Sequence, residues 1–175
     1  MLAAKATSCQ NRTLASGVGL TRRESPAMNW AFIHLALNHI PVILMPTALV
    51  MLAFVTARRR TDLRDVTLVL VIVAGIFGAG AYLTGEPAEE VVENLPDVSA
   101  DAIEQHEEAG LTAAVATGLA GLLALGTLLA GHRREGPPWM PAATLVVTLV
   151  ASILLARTAH LGGQISHPEI RRTVQ

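Results

Sequence analysis

The sequence predicts an all-α membrane protein: a bundle of four transmembrane helices with both chain termini on the outer side of the membrane. Hydrophobic residues make up 51% and charged residues 15% of the 175 residues, and the mean hydropathy is +0.46. These values lie beyond the average of soluble globular proteins. Four apolar segments are long enough to cross a hydrocarbon layer of about 30 Å. The loops between them alternate between basic and acidic composition.

The four apolar segments account for most of the chain. We expect helices at about residues 30–56, 66–84, 100–130 and 140–160. They must be helical, because a helix satisfies its backbone groups internally, whereas an isolated strand in lipid cannot. Together they form one membrane domain over residues 28–170, and residues 171–175 are a tail.

The loops indicate the orientation. The first and third connections carry the basic residues Arg58, Arg59, Arg60, Arg64, Arg133 and Arg134. The second connection, residues 85–108, holds nine of the fourteen acidic residues and no Lys or Arg. Because cytoplasmic loops are enriched in Lys and Arg, the acidic loop is expected outside, and both termini with it.

Residues 1–27 do not fit this topology, because Lys5 and three arginines would oppose translocation of the N-terminus. We interpret this segment as a disordered extension or an incorrectly assigned start. Met28 is the alternative first residue, two positions before the first span.

The composition excludes several classes of function. A net charge of -1 and an aromatic content of 3% provide neither the basic surface nor the stacking platforms that nucleic acid binding requires. Cys9 is the only cysteine, so an intramolecular disulfide and any cysteine-based metal or iron–sulfur site are excluded. Chemistry at this protein must use His, Asp, Glu or the backbone.

Five of the six histidines are expected at the outer face: His34, His39, His106, His160 and His167. His39 lies nine residues beyond Trp30, which places it about 13 Å into the membrane at about 1.5 Å per residue. An ionisable side chain at that depth is costly unless it faces the bundle interior or a partner. His39 is therefore the leading candidate for a ligand.

His34 and Asn38 are four residues apart and share a helix face, whereas His39 is rotated by about 140° from His34. Pro41 lacks the N–H that would bond the carbonyl of Leu37. A local distortion could therefore bring both histidines to one ligand, and Asn38 could bond the freed carbonyl. The alternative is that His34 and Asn38 form an interhelical hydrogen-bond pair without further chemistry.

His106 continues the third helix above the membrane, flanked by Glu104, Glu107 and Glu108. The tail sequence "HLGGQISHPEI" predicts a two-glycine turn that returns His167 toward the same surface. Imidazoles from three helices, with carboxylates nearby, are typical ligands of a divalent metal or of one haem b. The candidate cofactor-binding residues are His39, His106, His34 and Asn38.

Small residues recur four positions apart within the second and third spans: Ala74 with Gly78, Gly75 with Ala79, Ala114 with Gly118, and Thr117 with Gly121. Such spacing lets helix backbones approach closely in lipid. It predicts packing within the bundle, with homodimerisation through the same faces as the alternative.

The stretches "HLALNHIP", "YLTGEPAEEVVENLPDVSADAIEQHEE" and "HLGGQISHPEI" resemble a family of small bacterial four-helix membrane proteins of unknown function, over residues 28–170. That family is distantly similar to two-histidine membrane b-type cytochromes. The resemblance implies histidines at 39, 106 and 167, with Asn38, Glu86 and Glu90, and a bacterial inner-membrane location. The candidate metal ligands are accordingly His39, His106, His167, Glu86, Glu90 and Glu107.

The resemblance brings no activity, and at most one haem is expected, near the outer face. The first hypothesis is a redox protein whose outer His/Glu cluster binds one haem b or a divalent metal. The alternative is a non-catalytic accessory subunit of a larger membrane complex, in contact with lipid and a protein partner or a second copy. A transporter is less favoured, because no span contains a clear unwound segment, and whether the protein is an enzyme stays open.

Overall fold

The computed structural model describes residues 29–58, 62–93, 95, 98–133 and 136–166. Within these residues the regular secondary structure is helical throughout, with five helices: α1 (Trp30–Arg58), α2 (Arg64–Leu83), α3 (Gly85–Val92), α4 (Ala100–Arg133) and α5 (Met140–Ser166). All but α3 are long and apolar enough to cross a membrane. The prediction of an all-α bundle with four spans is therefore confirmed.

The four long helices form a ring in which α1 packs on α2, α2 on α4, α4 on α5, and α5 on α1. Helices α1 and α4 therefore stand diagonally across the bundle. The short helix α3 packs on α1 and α2 at the end of the bundle that carries the acidic loop, which we call the outer end. The opposite, inner end carries Arg58, Arg64 and Arg133. That these ends face the outside and the cytoplasm stays a prediction.

Helix α1 runs without interruption through Pro41 and Pro46. It begins at a cap that sequence analysis missed, in which the side-chain oxygen of Asn29 accepts a hydrogen bond from the backbone N–H of Phe32 at 3.2 Å. The residues it buries against the bundle are Pro41, Met45, Ala48, Leu52 and Val55. They recur every three or four positions, so α1 presents one face inward and the opposite face outward.

Helix α5 continues through Gly162 and Gly163 to Ser166. The predicted two-glycine turn after the fourth span is therefore wrong. Neither glycine adopts a left-handed backbone, and a glycine inside a helix costs stability without breaking the helix. His167 and Glu169, which the turn was expected to bring back, lie outside the described residues.

The core of the bundle combines larger apolar side chains, such as Met45 and Leu68, with many alanines, and at one crossing glycines allow the helices to pack closely. At the crossing of α2 and α4, a β-carbon placed on Gly75 would lie 3.0 Å from the carbonyl oxygen of Thr117 and 3.3 Å from Cα of Gly121. Gly78 packs on the Thr117 side chain. These predicted small-residue contacts lie within the bundle, whereas Gly118 has open space around it.

Candidate functional site

His34 lies in the second turn of α1, close to the end of α2. Its ring nitrogen Nδ1 is 2.9 Å from the carbonyl oxygen of Ala81 and 3.3 Å from Oγ1 of Thr84. A carbonyl oxygen only accepts hydrogen bonds, so Nδ1 carries the proton and donates it. This bond uses a carbonyl in the last turn of α2, where helices leave such groups unpaired. His34 therefore ties α1 to α2.

His106 occupies the corresponding place on the diagonal helix α4. Its Nδ1 lies 3.0 Å from the carbonyl oxygen of Thr158 in α5, so this nitrogen also carries a proton and donates it. The ring packs against Gly162, where an added β-carbon would lie 2.9 Å from Cε1 of the imidazole. His106 therefore ties α4 to α5, and its position depends on a glycine.

The two imidazoles meet between the diagonal helices. Their ring centroids are 6.3 Å apart, and their planes are 84° to each other, an edge-to-face contact. Both rings are partly buried. Through this contact and the two Nδ1 hydrogen bonds, the pair His34–His106 connects all four long helices at the outer end.

The hydrogen bonds also define what the pair has available for chemistry. A neutral imidazole with its proton on Nδ1 has a lone pair on Nε2. In the described part of the chain, neither His34 nor His106 has a hydrogen-bond partner at Nε2. Two nitrogen lone pairs on neighbouring rings can share a proton or bind a metal.

The structure corrects the expectation for His39, which does not face the bundle interior. The residue is exposed, and its Nδ1 donates a hydrogen bond to the carbonyl oxygen of Leu35 in the preceding turn, at 2.6 Å. The cause is the helical rotation between neighbouring histidines: His34 follows the buried stripe of α1, and His39 falls opposite to it. The expected meeting of His39 with His106 is therefore wrong, and its role as a ligand stays a prediction.

Asn38 is half-buried, and among the described residues its side chain has no hydrogen-bond partner. Asn38 does not bond the carbonyl of Leu37, and of the predicted interhelical pair His34 alone bonds another helix, at Ala81. The partners of His34 are instead on α2 and just after it: the carbonyl oxygen of Ala81 accepts its Nδ1–H, and Oγ1 of Thr84 lies nearby. The sequence signal for these partners is the polar Thr84 at the end of an otherwise apolar span.

The predicted metal ligands do not converge in the described residues. No three side chains among His, Cys, Asp and Glu are arranged there to hold a metal ion. Glu86 and Glu90 are exposed on α3, and Glu107 is exposed on α4. His160 and Arg157 are also exposed, with His160 beside Gln164 at 3.0 Å. Binding of a metal or haem stays a prediction.

Comparison with known protein families decides the family. Residues 31–169 match a family described as "Predicted membrane protein (DUF2231)". This chain belongs to the DUF2231 family. The resemblance drawn from the three sequence stretches is therefore confirmed for the family, whose function is unknown. No curated protein and no solved structure matches the chain.

The DUF2231 chain also has an acidic feature at its outer end. An open cleft of about 410 Å³ lies between the α3 region and the start of α4, and four glutamates line it: Glu89, Glu93, Glu104 and Glu107. Partial burial raises the pKa of the Glu89 carboxyl, and repulsion from Glu107, Glu93 and Glu86 raises it further. We call this feature the outer acidic cleft.

Proposed function

We propose that this multi-pass membrane protein lies in the bacterial inner membrane and binds one transition-metal centre through Nε2 of His34 and Nε2 of His106. One observation carries the proposal: each ring donates Nδ1–H to a backbone carbonyl, and the two rings are in edge-to-face contact. Metal-binding histidines almost always use their second nitrogen in this way, because the bond fixes the tautomer and the ring orientation.

The distance between the rings supports the proposal. Metal–nitrogen bonds of about 2.0–2.1 Å place two nitrogens that share a metal about 3–4 Å apart. Rings with centroids 6.3 Å apart can present their edge nitrogens at that separation.

Two forms of the centre share this chemistry, a bare ion and the iron of haem b. Imidazole suits iron, copper, zinc and nickel, and iron or copper would give the centre a redox role. In the haem form, His34 and His106 would be the protein ligands of the iron, and haem would supply redox chemistry at this place. A bare ion would need further ligands, such as water.

The experiment measures the absorption spectrum and metal content of the full chain purified in detergent. We expect a Soret band for haem, or a stoichiometric metal without that band for a bare ion. His34→Ala and His106→Ala should each retain less than about a tenth of the bound group, because loss of even an outer-shell partner costs 10–100-fold in affinity.

His39→Ala is the matched control, because it removes an exposed imidazole from the same helix. It should keep the spectrum and metal content of the wild type. Colourless, metal-free protein that copurifies with larger membrane subunits would contradict the proposal and favour the accessory-subunit alternative. Equal loss in His39→Ala and His34→Ala would also contradict it.

A further inference from the structure

His39 presents an unsatisfied polar atom toward lipid. Its Nδ1–H bonds the carbonyl of Leu35, so Nε2 is a hydrogen-bond acceptor, and in the described residues nothing bonds it. The residue lies about 13 Å below the start of α1, at about 1.5 Å per residue. Polar and ionisable side chains at such depths almost always face other protein or water. The exposed face of α1 is therefore expected to be covered.

The neighbouring residue supplies what His39 lacks. Asn38 is half-buried at the edge of the same face, and its amide carries two N–H donors and an oxygen acceptor. No described residue bonds this amide. An unpaired donor and an unpaired acceptor thus stand on adjacent residues, but they point in directions about 100° apart on the helix and belong to one chain.

We propose that a second copy of this chain packs on the exposed face of α1, and that the Asn38 amide of each copy donates a hydrogen bond to Nε2 of His39 in the other. The two copies are related by a twofold axis along the membrane normal. In such a symmetric contact, Asn38 of the first copy meets His39 of the second, and His39 of the first meets Asn38 of the second. Two identical hydrogen bonds therefore form.

The depth of the two residues favours a second copy over an unrelated helix. Both copies insert in the same direction, and adjacent residues differ in height by about 1.5 Å. The donor of one copy therefore automatically lies at the height of the acceptor of the other. An unrelated helix would need a donor and an acceptor at this same depth.

The rest of the face is compatible with close contact between copies. The side of α1 between Asn38 and His39 carries no charged side chain as far as Ala57, and its exposed members are Leu35, Pro46 and Ala53. The acidic start of α4, with Asp101 and Glu104, belongs to the helix diagonally across the bundle, whereas the glutamates of α3 lie at the outer end of the bundle, where α3 packs on α1.

Disulfide formation between copies in native membranes tests the interface. The native Cys9 is first changed to Ser, and one cysteine is then introduced by Leu35→Cys, at a position that lies between Asn38 and His39 around the helix. Val115→Cys on the exposed side of α4 is the matched control, because both positions are exposed in the outer half of their spans. We expect a covalent dimer from Leu35→Cys and none from Val115→Cys.

Loss of either polar group should weaken the dimer. In the Leu35→Cys background, Asn38→Leu and His39→Leu each remove both interchain hydrogen bonds, and we expect the yield of covalent dimer at limiting expression to fall at least about fivefold. Co-expression of the two variants keeps one hydrogen bond, from the Asn38 of one copy to the His39 of the other. The mixed dimer should therefore form more readily than either variant alone.

This recovery also shows that both variants fold, since an unfolded chain could not restore the partner. The proposal is overturned if Val115→Cys crosslinks as well as Leu35→Cys, or if the dimer is insensitive to both leucine substitutions. It is also overturned if Leu35→Cys crosslinks only to a different protein. Metal binding at His34 and His106 does not enter this test, so either proposal can fail alone.

Discussion

Gly162 determines where the imidazole of His106 can lie. A β-carbon at this position would be 2.9 Å from Cε1 and 3.3 Å from Nδ1 of the ring, distances that force one of the two groups to move. The ring would leave the carbonyl of Thr158, which it bonds at 3.0 Å. Gly163, one residue further, has no atom within 4 Å of an added β-carbon. A substitution at Gly162 changes both packing and helix propensity, whereas the same substitution at Gly163 changes helix propensity alone.

We expect Gly162→Ala to destabilise the protein by about 1–3 kcal/mol, the usual cost of overpacking, and to lower the occupancy of the proposed metal centre. Gly163→Ala should be neutral or stabilising by up to about 1 kcal/mol, because alanine favours a helix more than glycine does. Thermal unfolding in detergent and the bound metal or haem per chain measure both effects. Equal behaviour of the two variants would show that His106 is not held by Gly162.

At the residue scale, the sequence predicted histidines at the outer end with His39 as the leading one, whereas the structure brings His34, also among the predicted residues, into contact with His106. The inward face of an amphipathic helix can be read from its apolar stripe, but α1 is apolar on all sides. The expected depth in the membrane pointed to His39 as the inward-facing residue. In the structure it is His34 that faces inward, because it lies seven residues, or two helical turns, before the buried Pro41. Only the packing of α1 against α2 and α5 resolves this choice.

The crossing of α2 and α4 is the element that depends most on the absence of side chains. Gly75 faces the backbone of α4, and an added β-carbon would lie 3.0 Å from the carbonyl oxygen of Thr117. Backbone atoms cannot rotate away as the end of a side chain can. In lipid, close backbone approach of this kind supplies much of the attraction between helices. The crossing is therefore sensitive to a single methyl group.

Gly75→Ala is expected to destabilise the bundle by about 1–3 kcal/mol through overpacking. Gly80→Ala on the same helix is the control, because nothing lies within 4 Å of a β-carbon at Gly80, and it should stabilise by up to about 1 kcal/mol. The free energy of unfolding in mixed micelles distinguishes the two. A stabilised Gly75→Ala variant would disprove the close crossing.

At the element scale, apolar length was enough to predict the four spans, since lipid leaves the chain few alternatives to helix. The separate helix α3 was not predicted, because its eight residues are too short to show a reliable period. The extension of α5 past Gly162 was missed because glycine pairs usually suggest a turn, whereas here one glycine admits the His106 ring. Tertiary contact overrode local propensity.

Over the whole molecule, charge is divided between the two ends of the bundle. The segment 85–108 carries nine acidic residues and no basic one, and the opposite end carries the arginine-rich loops. Within the described residues, the acidic end gathers four glutamates around the outer acidic cleft. Like charges that are close together on a folded protein favour the protonated form, so the packing of this end depends on pH.

Glu89 shows in which direction the stability of this end changes with pH. Its pKa is raised in the folded protein by partial burial and by repulsion from neighbouring glutamates, so the folded state holds the proton more tightly than the unfolded state. Protonation of Glu89 therefore contributes fully to folding stability when the pH is below the pKa of glutamate in the unfolded chain, about 4.3. It is lost as the pH rises through the folded value. The outer acidic cleft should be most stable in acid.

Glu89→Gln removes this titration while preserving size and polarity. We expect the variant to unfold at a higher temperature than the wild type at neutral pH, and the difference to shrink as the pH falls toward the unfolded pKa of glutamate, about 4.3. Because Glu89 is only partly buried, the effect is small. Glu90→Gln, one residue along but outside the cleft lining, should show no such pH-dependent difference. A Glu89→Gln gain that is the same at pH 4 and pH 7 would mean that charge repulsion in the cleft does not cause it.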